Sequence, residues 1–341
     1  MDASNIATGA TPNLAVPTTE SLQEFIVQTS LYNASQGRVS GGVVAVVTKS
    51  GTKEYHGNLF YFLRNDGLNA NNFFLNAQGT DRPAYDRDQF GGTLGGPLVK
   101  DRAWFFLSYQ GTREDNGTSL TNSLATVFVP GNLTDDRSDA ALAALSASFG
   151  LGGFVHPTAA ALLRATLPNG VFAIPSAPST TGQPAPVRVT IPALSTFAED
   201  QVNANLDLQL TQANRVSTKF FYADNDIVQA LFNSFGRGNP LQLPGFASNS
   251  NFKQWLASVH DTHLFGPGLL NEFRFGLSPG STQALPDQPF TAAEFGINSP
   301  LSSLFPEMPT ISIANFMDIG PSIFQDNDAQ VNTYTLGDTL T

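Results

Sequence analysis

Residues 201–210, QVNANLDLQL, alternate without interruption: Val202, Ala204, Leu206, Leu208 and Leu210 on one side, Gln201, Asn203, Asn205, Asp207 and Gln209 on the other. Successive side chains of a β-strand point to opposite faces, so the run is a strand with one apolar and one polar face. At about 10 residues it is long enough to cross a bilayer when tilted. A tight turn at 211–214 follows, and residues 215–224 return with Val216, Thr218, Phe220 and Tyr222 on one side. The pattern recurs around Gly266-Pro267-Gly268: 252–265 leads in, and 269–277 leads out with Phe273, Phe275 and Leu277 opposite Glu272 and Arg274. Residues 330–340 read as one more strand.

The spacing of the breaks is asymmetric. Short turns lie at 99–102, 211–214 and 266–268, whereas long irregular stretches occupy 65–87, 114–197, 225–250 and 279–328. Inside a compact soluble domain, an 80-residue loop would count against the strand assignment. In a membrane barrel, short turns at one rim and long loops at the other are the rule. Eight strands are expected, near 56–64, 88–98, 103–113, 199–210, 214–224, 251–264, 269–278 and 329–341. No apolar stretch approaches the roughly 18 residues of a spanning helix, so a membrane reading has to be a barrel.

Composition agrees. Charged residues are 13% of the chain, against about 25% in typical soluble domains; Phe reaches 27 and Gly 30. A net charge of −11 argues against a nucleic-acid partner, whose phosphates require basic surface. The absence of cysteine excludes disulfides, zinc–thiolate sites and a thiol nucleophile. The first residues, MDASNIATGATPNLAVP, have neither a basic n-region nor an apolar h-region. Export would therefore place the true start upstream and make this chain a fragment.

Residues 40–64, SGGVVAVVTKSGTKEYHGNLFYFLR, join three features. An apolar β-branched run at 42–49 is expected as a strand buried on both faces. Ser50-Gly51-Thr52 follows as a turn in which Gly51 is free to take positive φ. Residues 57–63 then form an aromatic-rich strand. Upstream, a strand is expected at 24–28 and a helical turn at 34–38, giving a small mixed α/β unit with too little apolar surface to fold alone.

This stretch resembles the end of the plug domain and the first barrel strand of a TonB-dependent outer-membrane receptor, in particular the Oar-like group whose plugs follow a carboxypeptidase-regulatory-like domain. The matching residues are Glu24, Phe25, Val27, Thr29, Tyr32, Ala34, Gly37, Arg38, Ser40, Gly41, Gly42, Val44, Thr48, Lys49, Ser50, Gly51, His56, Gly57, Phe60, Arg64 and Asn65. A second block resembles the group's next hairpin: Asp88, Gln89, Phe90, Gly91, Gly92, Thr93, Leu94, Gly95, Gly96 and Pro97, then Lys100, Asp101 and the run to Arg113. Beyond Arg113 the likeness is one of pattern. The resemblance implies an all-β fold: about eight strands of a roughly 22-stranded antiparallel transmembrane barrel, preceded by the C-terminal part of a small α/β plug. Residues 1–52 are then plug and 53–341 barrel; the plug's beginning and its TonB box are missing, and an eight-strand wall cannot close.

By the same resemblance the protein sits in the outer membrane of a Gram-negative bacterium and is not an enzyme. It takes up a bulky nutrient (glycan, peptide or metal chelate) with energy from TonB and its inner-membrane motor complex, and it contacts lipid and an extracellular ligand. The rival readings are an Oar-like surface-structural or secretion-related role, a secreted β-rich adhesin, and a glycan hydrolase. Internal repeats and a nominated pair of carboxyls, which the last two would call for, are not found in the sequence.

No motif for hydrolytic or covalent catalysis is present, and no cofactor is expected. The GGTLGG of residues 91–96 has the wrong spacing for a dinucleotide loop; its glycines are expected to permit coiling of a strand or close approach of the plug. His260 and His263 fall on opposite faces of a strand and so do not share a metal. His56 is expected in a structural role. The pairs or clusters Asp81, Asp86 and Asp88, Asp224 and Asp226, and Asp326 and Asp328 are expected at loop edges as solvated faces. Trp104, Phe105, Tyr109, Trp255 and Phe265 are candidates for interfacial aromatic girdles. Arg38, Lys49 and Arg64 are expected to pair with lumen carboxylates.

Overall fold

The computed structural model describes residues 16–28, 43–71, 73, 76, 81–117, 124–177, 185–231, 241–298, 300, 303–321 and 326–341. Eight long strands are β3 (His56–Asn65), β4 (Tyr85–Val99), β5 (Ala103–Asn116), β8 (Ser195–Thr211), β9 (Asn214–Gln229), β10 (Ser248–Gly266), β11 (Leu269–Pro286) and β14 (Asn327–Leu340). They form one antiparallel sheet in the order β14-β11-β10-β9-β8-β5-β4-β3, each strand beside its neighbour in the chain. All eight expected strands are present, and most run several residues further toward the long connections. Asp86, Asp88, Asp224, Asp226 and Asp328 therefore lie within strands, not in loop edges as expected. Register places the turns after β4, β8 and β10 at one rim: Thr211 pairs with Asn214, and Gln209 N–H donates to the Arg102 carbonyl at 2.7 Å.

The sheet is inside out relative to a soluble domain. On β8 the buried residues are Gln201, Asn203, Asn205 and Asp207, each at most 4% exposed. Their alternates face out, Val202 at 37% and Leu210 at 60% exposure. Register carries this outer face across the sheet through Leu107, Ala204, Phe220, Ala257 and Leu277 to Tyr334. Leu59, Leu94, Val259, Phe275 and Leu336 extend it, all exposed. Burying amides while exposing leucines is unfavourable in water and favourable when the outer solvent is hydrocarbon.

The polar face is covered by a short N-terminal segment. Its strands β1 (Leu22–Gln28) and β2 (Val43–Thr48) pair antiparallel, Phe25 opposite Val46. The expectation of a strand buried on both faces is corrected: Val46 and Val47 are half-buried, whereas Thr48 is 3% exposed. A two-stranded unit has no second layer to close over its apolar side. The expected helical turn at 34–38 lies outside the described residues.

The long connections, read from sequence as irregular, are folded together. The one between β5 and β8 carries β6 (Leu124–Pro130), helix α1 (Asp139–Ser148), helix α2 (Pro157–Arg164) and β7 (Pro186–Pro192), which pairs with β6. The one between β11 and β14 carries β12 (Ile311–Ile313) and β13 (Met317–Ile319). Their common core includes Val127, Leu142, Leu243, Phe246, Met308 and Ile319, drawn from three connections. Backbone bonds link them: Phe128 N–H to the Phe316 carbonyl at 2.9 Å, and Leu243 N–H to the Asp318 carbonyl at 2.8 Å. Local signals for the helices are present. Ser138 caps α1 by accepting from Ala141 N–H, Asp139 stands in its first turn, and Pro157 opens α2. Beside them, Ser138 N–H donates to Asp136, which holds that carboxyl below its usual range.

Candidate functional site

The contact between the N-terminal segment and the inner wall is the place where the described residues of the two resemblance blocks meet the sheet. Asn205 on β8 donates from Nδ2 to Thr48 Oγ1 at 3.0 Å and to the Lys49 carbonyl at 2.6 Å. Lys219 Nζ on β9 reaches Thr48 Oγ1 at 3.4 Å. Nearer the connections, Gln201 Nε2 donates to the Val16 carbonyl at 3.2 Å. On the β3 side, Asn58 Nδ2 donates to Glu20 Oε2 at 2.8 Å, and Thr93 Oγ1 donates to Asn58 Oδ1 at 2.7 Å. Among the described residues the segment is thus held by separated polar bonds. The Ser108 hydroxyl, Asn203 Nδ2 and Asn205 Oδ1 are buried with no partner among the described residues.

Within the segment, Lys49 N–H donates to the Ser21 carbonyl at 2.8 Å, and Lys49 Nζ to the Glu20 carbonyl at 2.7 Å. Among the described residues Lys49 has no lumen carboxylate as partner, contrary to expectation; its ammonium closes the start of β1 onto the end of β2. Arg64 also departs from expectation. Its guanidinium lies 4.6 Å above the Tyr85 ring, and in register it faces Arg87. An aromatic face is the available partner where the opposing residue is itself cationic. Gly37, Arg38, Gly41 and Gly42 lie outside the described residues.

Gly51 follows Lys49 and Ser50 onto the wall. Its φ is not in the positive region, so the expected conformational reason is replaced by a steric one. A Cβ at Gly51 would stand 2.4 Å from the Phe105 carbonyl oxygen and 2.6 Å from its nitrogen. Gly95 on β4 approaches the same point, its would-be Cβ 3.9 Å from Gly51 Cα and 3.2 Å from the Phe106 ring. Gly91 is closer still to a neighbouring strand, at 2.1 Å from the Tyr109 carbonyl oxygen. Gly96 and Gly92 lie on the outer face, against the Tyr55 ring and Leu59. Gly57, Phe90 and Pro97 occupy ladder positions opposite Leu94, Tyr61 and Trp104. His56 is exposed opposite Gly95, and Gln89 lines the inner face.

Two substitutions test this contact. Asn205→Leu keeps the side-chain size and removes both donated bonds, weakening the seat of residues 43–51 by about 1–3 kcal/mol; hydrogen exchange should accelerate there and stay unchanged in β9 and β10. Gly51→Ala meets backbone atoms that cannot rotate away and costs about 1–3 kcal/mol. Trypsin should then cut faster after Lys49 and Lys53, with the sheet intact.

The outer face carries a band of tyrosine–aspartate pairs above the apolar surface. Tyr61 donates to Asp88 at 2.5 Å, Tyr109 to Asp200 at 2.6 Å and Tyr222 to Asp224 at 3.1 Å. Arg113 pairs with Asp200 at 2.8 Å, while Asn251 donates to Asp224 at 3.1 Å and Asp226 at 2.7 Å. Register places Phe105, Tyr109 and Trp255 on this face, and Phe265 is 62% exposed. Trp104 is corrected. It shares the inner face with Phe106, opposite Asp207, and its Cβ packs on Gly51, because side chains alternate from Phe105. His260 sits on the inner face 3.9 Å from Glu272. His263 sits on the outer face, 4.4 Å from the Phe265 ring and 3.2 Å from Asn214.

Comparison with known proteins gives three findings. The family described as outer membrane beta barrel domain matches residues 47–341. The TonB-dependent transporter Oar of Myxococcus xanthus is 32% identical over 124 residues, covering 35% of this chain and 12% of that protein. The crystal structure of the ferric-catecholate import receptor Fiu from E. coli K12, open form, aligns with 92% of this chain and 55% of its own at 10% identity. Its TM-score of 0.28 is too low to carry an argument.

Proposed function

This chain belongs to the outer membrane beta barrel domain family and is a protein of the Gram-negative outer membrane; on that premise we propose that it is part of the wall and plug of a TonB-dependent importer. Residues 1–52 act as the C-terminal part of the plug and 53–341 as the N-terminal part of the barrel. Thr48, Lys49, Ser50, Gly51, His56, Gly57 and Arg64, with Gln89–Pro97 behind them, form the hinge between the two. The observation that carries this reading is the seating of residues 16–28 and 43–51 on a buried polar wall through spaced bonds from Asn58, Gln201, Asn205 and Lys219. A covering element held by a few bonds of about 1 kcal/mol each is one that a pull can shift without unfolding the sheet.

In this mechanism the folded connections and the upper lumen bind a bulky nutrient. TonB, captured by the plug, transmits force derived from the inner-membrane proton gradient, and the lumen opens. The protein makes and breaks no bond in the ligand. The test is uptake by cells with and without TonB, and with the proton gradient collapsed. Uptake should disappear in both cases. Uptake that persists without TonB overturns the proposal, and a deletion that alters only the cell surface would favour a surface-structural role.

A further inference from the structure

We propose that the outer face of the wall holds one anionic phospholipid of the periplasmic leaflet, its acyl chain in a groove across β4, β5, β8 and β9 and its phosphate on Lys100 and Arg102. The inference does not rest on import; it needs only the outer-membrane wall. The groove has a volume of about 430 Å³ and runs from Leu98 past Phe105, Leu107, Ala204 and Leu206 to Phe220. Register explains its shape. Ala204 stands between Leu107 and Phe220, so a methyl group forms the floor between two large side chains. Leu98, 60% exposed, rises on the β4 side at the bulge between Pro97 and Val99. The Thr218 hydroxyl also lies in the groove, but it donates to the Leu206 carbonyl at 3.4 Å, which leaves its methyl for an apolar occupant. Four strands with neighbours about 4.8 Å apart span about 14 Å. That is close to half of the roughly 25 Å apolar band of an outer-membrane barrel, the share of one leaflet.

Charge selects the occupant. The groove lies in the half of the wall next to the short turns, which stand on the periplasmic side of such barrels. Of these turns, 211–214 is Thr-Gln-Ala-Asn and 266–268 is Gly-Pro-Gly, whereas 99–102 carries Lys100, Asp101 and Arg102. Charge is therefore gathered at the turn that adjoins the groove: Leu98 lines the groove, and the Arg102 carbonyl accepts from Gln209 N–H at the end of β8 at 2.7 Å. Asp101 takes a positive φ of 57°, and Arg102 N–H closes the turn onto the Val99 carbonyl at 3.1 Å. Lys100 and Arg102 flank it, are exposed, and form no ion pair among the described residues. Long cationic side chains of this kind lay their stems on apolar surface and bring their heads to the interface. The turn keeps a net positive charge and so favours an anionic headgroup over a zwitterionic one. Toward the other rim the outer-face cations Arg113 and Lys253 are already paired, with Asp200 and Asp224, and offer an outer-leaflet phosphate less.

The test is native mass spectrometry of the full chain released from lipid nanodiscs. The probes are phosphatidylglycerol and phosphatidylethanolamine in equal amounts with identical acyl chains, and lipopolysaccharide as the competing anionic lipid. Phosphatidylglycerol should stay bound in preference to phosphatidylethanolamine by about fivefold, the effect of one net cation at an anionic headgroup. Lys100→Gln together with Arg102→Gln should bring that ratio to about one. Ala204→Leu fills the floor of the groove from the lipid-facing side and should remove the retained phospholipid, with the thermal midpoint in detergent unchanged. Equal retention of the two phospholipids, the mark of ordinary boundary lipid, overturns the proposal. So does a preference unmoved by the double substitution, or a retained lipid indifferent to Ala204→Leu. Retention of lipopolysaccharide alone places the anionic site at the other rim and overturns it too. None of these outcomes depends on TonB, so the lipid site and the import reading stand or fall separately.

Discussion

Phe220→Arg should destabilise the protein in lipid by about 2–4 kcal/mol, the cost of an arginine facing the middle of an outer-membrane bilayer. Phe220 lies on the outer face of β9, 39% exposed, in register with Ala204 and Ala257. Along β9 it stands between Val216 near the turn and the Tyr222–Asp224 pair at the upper rim. An arginine there lies too far from either rim to bring its head fully to water. Ser258→Arg supplies the comparison. Ser258 is on the inner face, in a row that already holds the charged Lys219 beside Asn205, and a new arginine there should change stability far less. Guanidinium unfolding from liposomes measures both. Equal tolerance at the two positions would mean that the outer face meets water, which the leucines and aromatics exposed around Phe220 argue against.

Arg137→Met should cost about 2–5 kcal/mol, and the loss should be confined to the folded connections. Arg137 is 6% exposed and donates to the Leu163 carbonyl at 3.1 Å, the Ile174 carbonyl at 3.2 Å and Ser176 Oγ at 3.0 Å. Its guanidinium also lies 4.5 Å above the Phe172 ring. Methionine fills much of the volume but leaves two buried carbonyls without donors, each worth about 1–3 kcal/mol. Burial lowers the tendency of the group to stay charged, yet an arginine keeps its proton in a protein, so the network stands at any accessible pH. Limited proteolysis should show cleavage within 131–177 at lower denaturant than in the wild type, with the eight-stranded sheet still protected. Loss of sheet and connections together would show that the two are one cooperative unit.

Much of the wall was legible because the period of a strand is local. Val202 to Leu210 against Gln201 to Gln209 fixes a two-faced strand within ten residues, and the short turns at 99–102, 211–214 and 266–268 fix which strands are neighbours. Resemblance singled out Gly51 and Gly95, but the reason those positions are glycine was not legible in it. A positive φ and a missing Cβ leave the same letter in a sequence, and only the approach of Phe105 to Gly51 separates them. Trp104 was misassigned for a related reason: two adjacent aromatics alternate, and nothing local says which one faces in.

The connections mark the limit. Ser138 and Pro157 signalled helices locally, but the core they enter joins Leu142 to Leu243 and Met308. Such contacts between segments a hundred residues apart have no period to read. The outer groove is of the same kind. Leu98, Phe105, Ala204 and Phe220 are ordinary apolar positions on four strands until register sets them side by side. The sequence by itself determined the strands, their order and the polarity of the two rims, because backbone geometry imposes those through neighbouring residues. Tertiary structure alone decided what covers the polar face and which distant side chains share a core, because these depend on packing between parts of the chain that have no local relation.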